Sequence, residues 1–181
     1  MRSMIVIILL LGATTASAAT ITIDFNELAA VYPASTIDTK GYRFTAGSEG
    51  LGVGFNWGPG GTGAMAMSGD GNTMELIYGG TFSLESFDMR TFSGFNENIV
   101  ITGFFESGGE ISTSLTITGS YAPDYLFSDA WQDLASVQFD TTGVLYIDNI
   151  VTVANVVPVP AAAWLFGSAL LGLVGLRRRK A

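Results

Sequence analysis

The chain has 181 residues, with no cysteine and no histidine. Those absences exclude disulfides, thiolate metal sites, a cysteine nucleophile and any Ser-His-Asp triad. Only three basic residues, Lys40, Arg43 and Arg90, share the middle of the chain with all 16 acids, a balance that repels nucleic acid and anionic lipid.

Residues 1–18 read as a cleavable secretion signal. Arg2 gives the positive start, Ile5–Leu11 is an apolar run too short to span a bilayer, and Ala16-Ser17-Ala18 is an A-x-A cleavage site. Cleavage is expected after Ala18 or one residue later. Residues 19–155 then have a length that suits one domain able to bury its own core.

In that domain the hydrophobic period is two. Thr20–Phe25 and Tyr42–Ala46 are short strand candidates near the start. Met74–Tyr78 and Thr81–Met89 follow, and Gly79-Gly80 between them predicts a hairpin. Phe82 and Leu84 are in one phase and Phe87 and Met89 in the other, which predicts a bulge near Ser86. Ile99–Phe105 is nearly all apolar, as for a central strand, and Gly108-Gly109 turns it into Ile111–Thr118, where Ile111, Thr113, Leu115 and Ile117 alternate with polar residues. Ala135–Phe139 and Val144–Val153 close the domain. Many short strands with glycine-rich turns predict an all-β fold, an antiparallel jelly-roll-like β-sandwich.

Four segments carry candidate sites. Gly47–Gly63 holds eight glycines and reads as a long loop presenting Trp57, an amphipathic ring suited to a sugar face or a partner. Its Gly58-Pro59-Gly60-Gly61-Thr62-Gly63 fits G-x-G-x-x-G, but no helix follows to receive a phosphate. Tyr121–Trp131 is a second aromatic loop. Tyr121, Tyr125 and Trp131 either join Trp57 in a sugar platform or plug the end of the sandwich. Asp148 lies inside the closing strand, where an unpaired carboxylate is costly. With Asp24 from the first strand it could hold a structural calcium through oxygen ligands, or it could bond to turn backbone instead. Asp70-Gly71-Asn72 lacks the remaining ligands of a calcium loop and reads as a turn.

Residues 156–181 form a second processing segment. Pro158-Val159-Pro160 ends the last strand, Ala161–Leu176 is an uncharged apolar helix, and Arg177-Arg178-Arg179-Lys180 keeps the C-terminus cytoplasmic. This three-part order resembles the PEP-CTERM sorting signal of Gram-negative bacteria, with Pro158 and Pro160 at the family's two prolines and Val159 in place of its usual glutamate. The resemblance implies recognition by a membrane protease, an exosortase, that removes the helix, in bacteria that make exopolysaccharide. The stretch from Trp131-Gln132-Asp133-Leu134 to Tyr146-Ile147-Asp148-Asn149-Ile150-Val151 is similar to the last strands of small jelly rolls in such proteins, as are Ile23-Asp24-Phe25 and Gly41-Tyr42-Arg43-Phe44. The fold also resembles carbohydrate-binding jelly rolls, although fold does not carry function across.

The expectation is an exported cell-surface or extracellular-matrix protein, held in the inner membrane transiently by its C-terminal helix. Its partners are the secretion machinery, an exosortase and, for a non-catalytic binding module, exopolysaccharide. A purely structural biofilm-matrix protein is the second reading. A small glycan-active enzyme is the third, disfavoured because no catalytic constellation is recognisable.

Overall fold

Alternating apolar residues make nearly every element a strand. The computed structural model describes residues 19–58, 61–92, 96–117 and 122–155. The strands in chain order are β1 (Ala19–Ile23), β2 (Val31–Ala34), β3 (Thr36–Thr39), β4 (Tyr42–Thr45), β5 (Leu51–Gly54) and β6 (Ala64–Leu76), then β7 (Thr81–Thr91), β8 (Glu97–Phe105), β9 (Glu110–Ile117), β10 (Ala122–Leu126) and β11 (Leu134–Asn155). All described pairings are antiparallel, and they form one open sheet whose main path runs β10-β7-β11-β6-β4-β3. The signal segment 1–18 with Ala16 and Ala18, the tail 156–181 with its Pro158-Val159-Pro160 motif, and Tyr121 lie outside the described residues.

The two longest strands organise the fold. β11 runs for 22 residues. Its first half pairs with β8 and with the end of β6, and its second half pairs with β7, the start of β6, and β1. Between the halves the register shifts around Thr141 and Val144. β6 bends alongside, with Gly69 and Gly71 at φ of 70° and 82°. The Gly71 amide donates to Asp140 Oδ1 at 2.7 Å, and the buried Asn72 side chain caps the Ser68 and Gly69 carbonyls. The Asp70-Gly71-Asn72 turn is thus a bend inside a strand.

These bends curl the sheet over one core. Tyr42 on β4 and Phe82 on β7 have ring centroids 5.3 Å apart, although β6 and β11 separate their strands in hydrogen-bonding order. The Tyr42 hydroxyl donates to Thr152 Oγ1 at 2.8 Å across the same interior. Phe87 packs edge-on to Phe139 at 6.0 Å. Ile23, Phe44, Met65, Met67, Met74, Ile99, Leu134 and Ile147 fill the space between.

Several expectations hold. β8 and β9 form the predicted hairpin, with Gly108 and Gly109 at φ of 87° and 93°. Ile111, Thr113, Leu115 and Ile117 share the more buried face of β9. The bulge in β7 is present. Ser86 pairs with Val151 and Leu84 with Thr152, so Glu85 is the extra residue that lets Phe82, Leu84, Phe87 and Met89 all reach the core.

Others are corrected. β6 and β7 are not a hairpin, because β11 lies between them, and Gly79-Gly80 connects across. Ile99–Phe105 is a central strand, paired with β11 on one edge and β9 on the other, but it is buried on one face only, and Val100 reaches solvent. The two predicted closing strands are one bent strand. Gly47–Gly63 is not simply a loop, since its centre is strand β5.

Candidate functional site

The site grows from a contrast between the two faces of β5, β6, β11 and β7. Leu51 and Val53, Met65 and Met67, Leu145 and Ile147, and Phe87 and Met89 point into the core. The residues between them point outward, because successive side chains in a strand alternate. On β5 these are Gly52 and Gly54, and on β6 they are Ala64 and Ala66. The register aligns one outer row across four strands, Gly52 opposite Ala66, Ala66 opposite Tyr146, and Tyr146 opposite Arg90. Half of that row has almost no side chain.

Aromatic rings lie in the space so left. A Cβ on Gly52 would stand 2.7 Å from the Tyr32 ring, and one on Gly54 would stand 2.2 to 2.6 Å from three atoms of the Trp57 indole. Both rings therefore rest on bare backbone. Trp57 also tilts onto Tyr146 at 5.3 Å, and Phe92 packs against Tyr146 at 6.0 Å. Tyr32 and Phe92 are largely exposed, at 68% and 71%. Tyr32, Trp57, Ala66, Phe92, Val144 and Tyr146 line a groove of about 310 Å³. A second hollow of about 380 Å³ shares Tyr32 and Trp57 and continues over Val31, Gly54 and Phe55. The two rings form a ridge between two apolar depressions.

The arm that carries Trp57 is fixed from several sides. Asn56, with φ of 62°, turns the chain out of β5. Arg90 donates from Nη2 to the Asn56 carbonyl at 3.3 Å while its guanidinium lies 5.0 Å above the Tyr146 ring. Farther along, the Thr62 hydroxyl donates to Asp148 Oδ2 at 2.8 Å, and the Gly63 amide donates to Asn26 Oδ1 at 2.8 Å. Gly58 covers the Asp148 carboxylate so closely that a Cβ there would stand 2.6 Å from Oδ2.

Asp148 sits opposite Asp88 in the β11–β7 register, and both are buried. The Asn149 amide donates to Asp148 Oδ1 and the Asn149 side chain to Asp88 Oδ2, each at 2.8 Å. Burial pushes the Asp148 carboxyl up to about 6, repulsion from Asp88 and Asp24 adds to this, and the donors from Thr62 and Asn149 oppose it. Glu97, buried beside Gly143, is raised by burial against the Val144 amide, and its Oε2 has no hydrogen-bond partner. Burial likewise raises the Tyr146 phenol, with Arg90 lowering it and Glu97 and Tyr32 raising it.

The residues singled out in the sequence separate here. Trp57 is at the centre of the aromatic face. Trp131 is not available to a ligand, since it is 4% exposed and packs on Phe127 at 4.6 Å, which makes it part of the core. Tyr125 is half-buried against Phe127 and Phe87, at 4.9 and 6.2 Å, and belongs with that plug. Asp24 takes Lys40 as its partner at 2.7 Å, and this hydrogen bond holds its carboxyl below the ordinary range. Among the described residues no group of three or more acidic side chains converges as a metal site. Asp148 bonds instead to Thr62 and to the backbone after it, the alternative raised for it above.

Sequence reasoning missed Tyr32, Phe92, Arg90 and Tyr146. The available signal was the alternation Leu51-Gly52-Val53-Gly54 and Ala64-Met65-Ala66-Met67, large inward and minimal outward, which leaves room above a sheet.

No family model matches this chain, and no curated protein matches it. Among solved structures it is similar to the xylanase 10B of Clostridium thermocellum, containing CBM22-1 and GH10 modules complexed with xylohexaose. That likeness has a TM-score of 0.41 and 13% identity over 74% of this chain, which spans 28% of the xylanase chain. The family 11 carbohydrate-binding module of the C. thermocellum cellulase Lic26A-Cel5E gives 0.36 and 12%, covering 77% of this chain and 96% of that one. A CBM4 structure gives 0.27 and 12%, covering 75% and 86%. Overlaps this loose leave the site to be judged on its own geometry.

Proposed function

We propose that residues 19–155 are a non-catalytic glycan-binding module, a jelly-roll-like sandwich, of an exported surface or matrix protein. The observation that carries this reading is the ridge of Tyr32 and Trp57 seated on Gly52 and Gly54, with Tyr146 and Phe92 beside it. Pyranose rings present flat C–H faces that match indole and phenol faces, and an aromatic hollow releases water without demanding charge. Tyr146, Trp57 and Tyr32 supply the hydroxyl and indole N–H groups that give such a surface its polar handles.

Asp88 and Asp148 are a facing pair of carboxylates, the feature that would favour a glycosidase. Both are buried under the Trp57 arm and occupied by Asn149 and Thr62, so we assign them to holding the arm. In the sorting reading, the segment 156–181 hands the chain to an exosortase. Substituting Pro158 and Pro160 together would then leave the protein unprocessed at the membrane.

The binding reading is tested by retaining the protein on the host's immobilised exopolysaccharide. Wild type is expected to be held and Trp57→Ala to pass through. Equal retention of both would remove Trp57 from the site, and passage of both with self-association would favour the structural matrix protein.

A further inference from the structure

The glycan-binding reading leaves the charge of the ligand open. Resting on that reading, we infer that the Trp57 groove selects an uncharged glycan, and that Arg90 is a strut for Trp57 and not a receptor for an anion.

The first support is how the domain uses its cations. Lys40 is bonded to Asp24 at 2.7 Å with Glu27 at 3.8 Å. Arg43 is bonded to Asp38 through Nε and Nη2 at 2.9 and 2.8 Å. Among the described cations Arg90 is the one stacked on a wall of the groove, Tyr146, and it lines neither depression. A guanidinium takes a carboxylate or sulfate best through two parallel N–H groups. The Arg90 edge formed by Nε and Nη2 is not offered to solvent. Nε is buried, and Nη2 donates to the Asn56 carbonyl. Its plane is stacked on Tyr146, so one face of the charge is taken up by a ring of the protein.

The second support is the surrounding field. With three cations against 16 acids between the two ends of the chain, an acidic polymer meets repulsion over the Debye length of about 8 Å at physiological salt. Asp88, Asp148 and Glu97 stand behind the ring face and add to this locally. They do not make a cation receptor either. Each is buried, the first two accept internal donors, and among the described residues neither depression is lined by an acid. An ammonium sugar entering the groove would find no carboxylate to touch among the described residues. An uncharged sugar loses nothing by that arrangement.

The test uses the protein purified from the cells that make it. It compares affinity electrophoresis or titration with a neutral glucan, a uronic-acid polymer and a partly deacetylated amino-sugar polymer at 0.05 and 0.5 M salt. The expected result is strongest retention by the neutral polymer, changing less than about twofold with salt, since few ions are released. Uronate should bind at least about tenfold more weakly, a difference of about 1.4 kcal/mol. Arg90→Met should weaken neutral binding, and Arg90→Gln, which keeps an N–H for the Asn56 carbonyl, should recover part of it. Preferred, salt-sensitive binding of the uronate polymer, abolished in Arg90→Gln, would overturn the inference. Preferred, salt-sensitive binding of the amino polymer would do the same. Loss of folding in Arg90→Met leaves the wild-type comparison of the three polymers to decide. If wild type binds none of the three, the glycan reading itself fails, and this inference with it.

Discussion

The carboxylate of Asp148 accepts the Thr62 hydroxyl at 2.8 Å beneath Gly58, which ties the closing strand β11 to the arm that holds Trp57. Burial makes the charged form of this carboxyl costly and raises it from 3.8 to about 6, with the Thr62 and Asn149 donors opposing the rise. The native state therefore holds this proton more tightly than the unfolded chain does. Its stabilising contribution is full below about pH 4 and is lost as pH rises through about 6. Asp148→Asn keeps an acceptor for the Asn149 amide and lets the Thr62 oxygen accept from the new amide. It is expected to raise stability at pH 7.5 by about 1–3 kcal/mol and to change it little at pH 4. Denaturant melts at both values check this. Equal effects at the two pH values would show that the proton is not linked to folding there.

Gly54 is expected to be as important to binding as the ring it seats. Gly54→Ala places a methyl group within 2.2 to 2.6 Å of three indole atoms, so Trp57 must leave the sheet. Retention on polysaccharide should fall by about thirtyfold, equivalent to about 2 kcal/mol for a central aromatic contact, as for Trp57→Ala. The melting temperature should move much less than for a core variant. Wild-type binding in Gly54→Ala would mean that the indole can serve from another position.

Trp131 should behave in the opposite way. It packs on Phe127 and lies over Gly103, so Trp131→Ala opens a cavity and is expected to cost about 3–5 kcal/mol. Binding measured well below the melting temperature should be retained. Loss of binding with full stability would restore Trp131 to the ligand site.

Calcium and chelator should leave the melting temperature unchanged. The Lys40 ammonium already supplies Asp24 with the positive charge that a cation would bring, and Asp148 is satisfied by Thr62 and Asn149. A rise of several degrees with millimolar calcium would instead support a site built on Asp24 and Asp148.

The fold was partly readable in the sequence, and the reasons differ by segment. The β8–β9 hairpin and the β7 bulge follow from local alternation and from glycines that must adopt positive φ. The first and last strands lie side by side, with Ile23 opposite Ile150, as the placing of Asp24 and Asp148 in one candidate site required. The partner of β7 was not local. The Gly79-Gly80 signal marks a sharp change of direction, while pairing is decided by β11, more than fifty residues later in the chain. Glycine also misled at β5, because glycine-rich segments read as loops when the space above a strand is reserved for rings. Trp57 stood out as an aromatic among small residues. Tyr146 and Arg90 sit in strands that read as ordinary, and only the register of β5, β6, β11 and β7 brings them to the same row.

The most direct measurement of the central claim is a map of backbone amide shifts by NMR as a neutral oligosaccharide is added. The account predicts that Gly52, Gly54, Trp57, Ala66 and Tyr146 move together and saturate at one concentration, while Tyr125, Phe127 and Trp131 stay in place. Shifts centred on Tyr125 to Trp131, with the β5–β6 face unmoved, would contradict it.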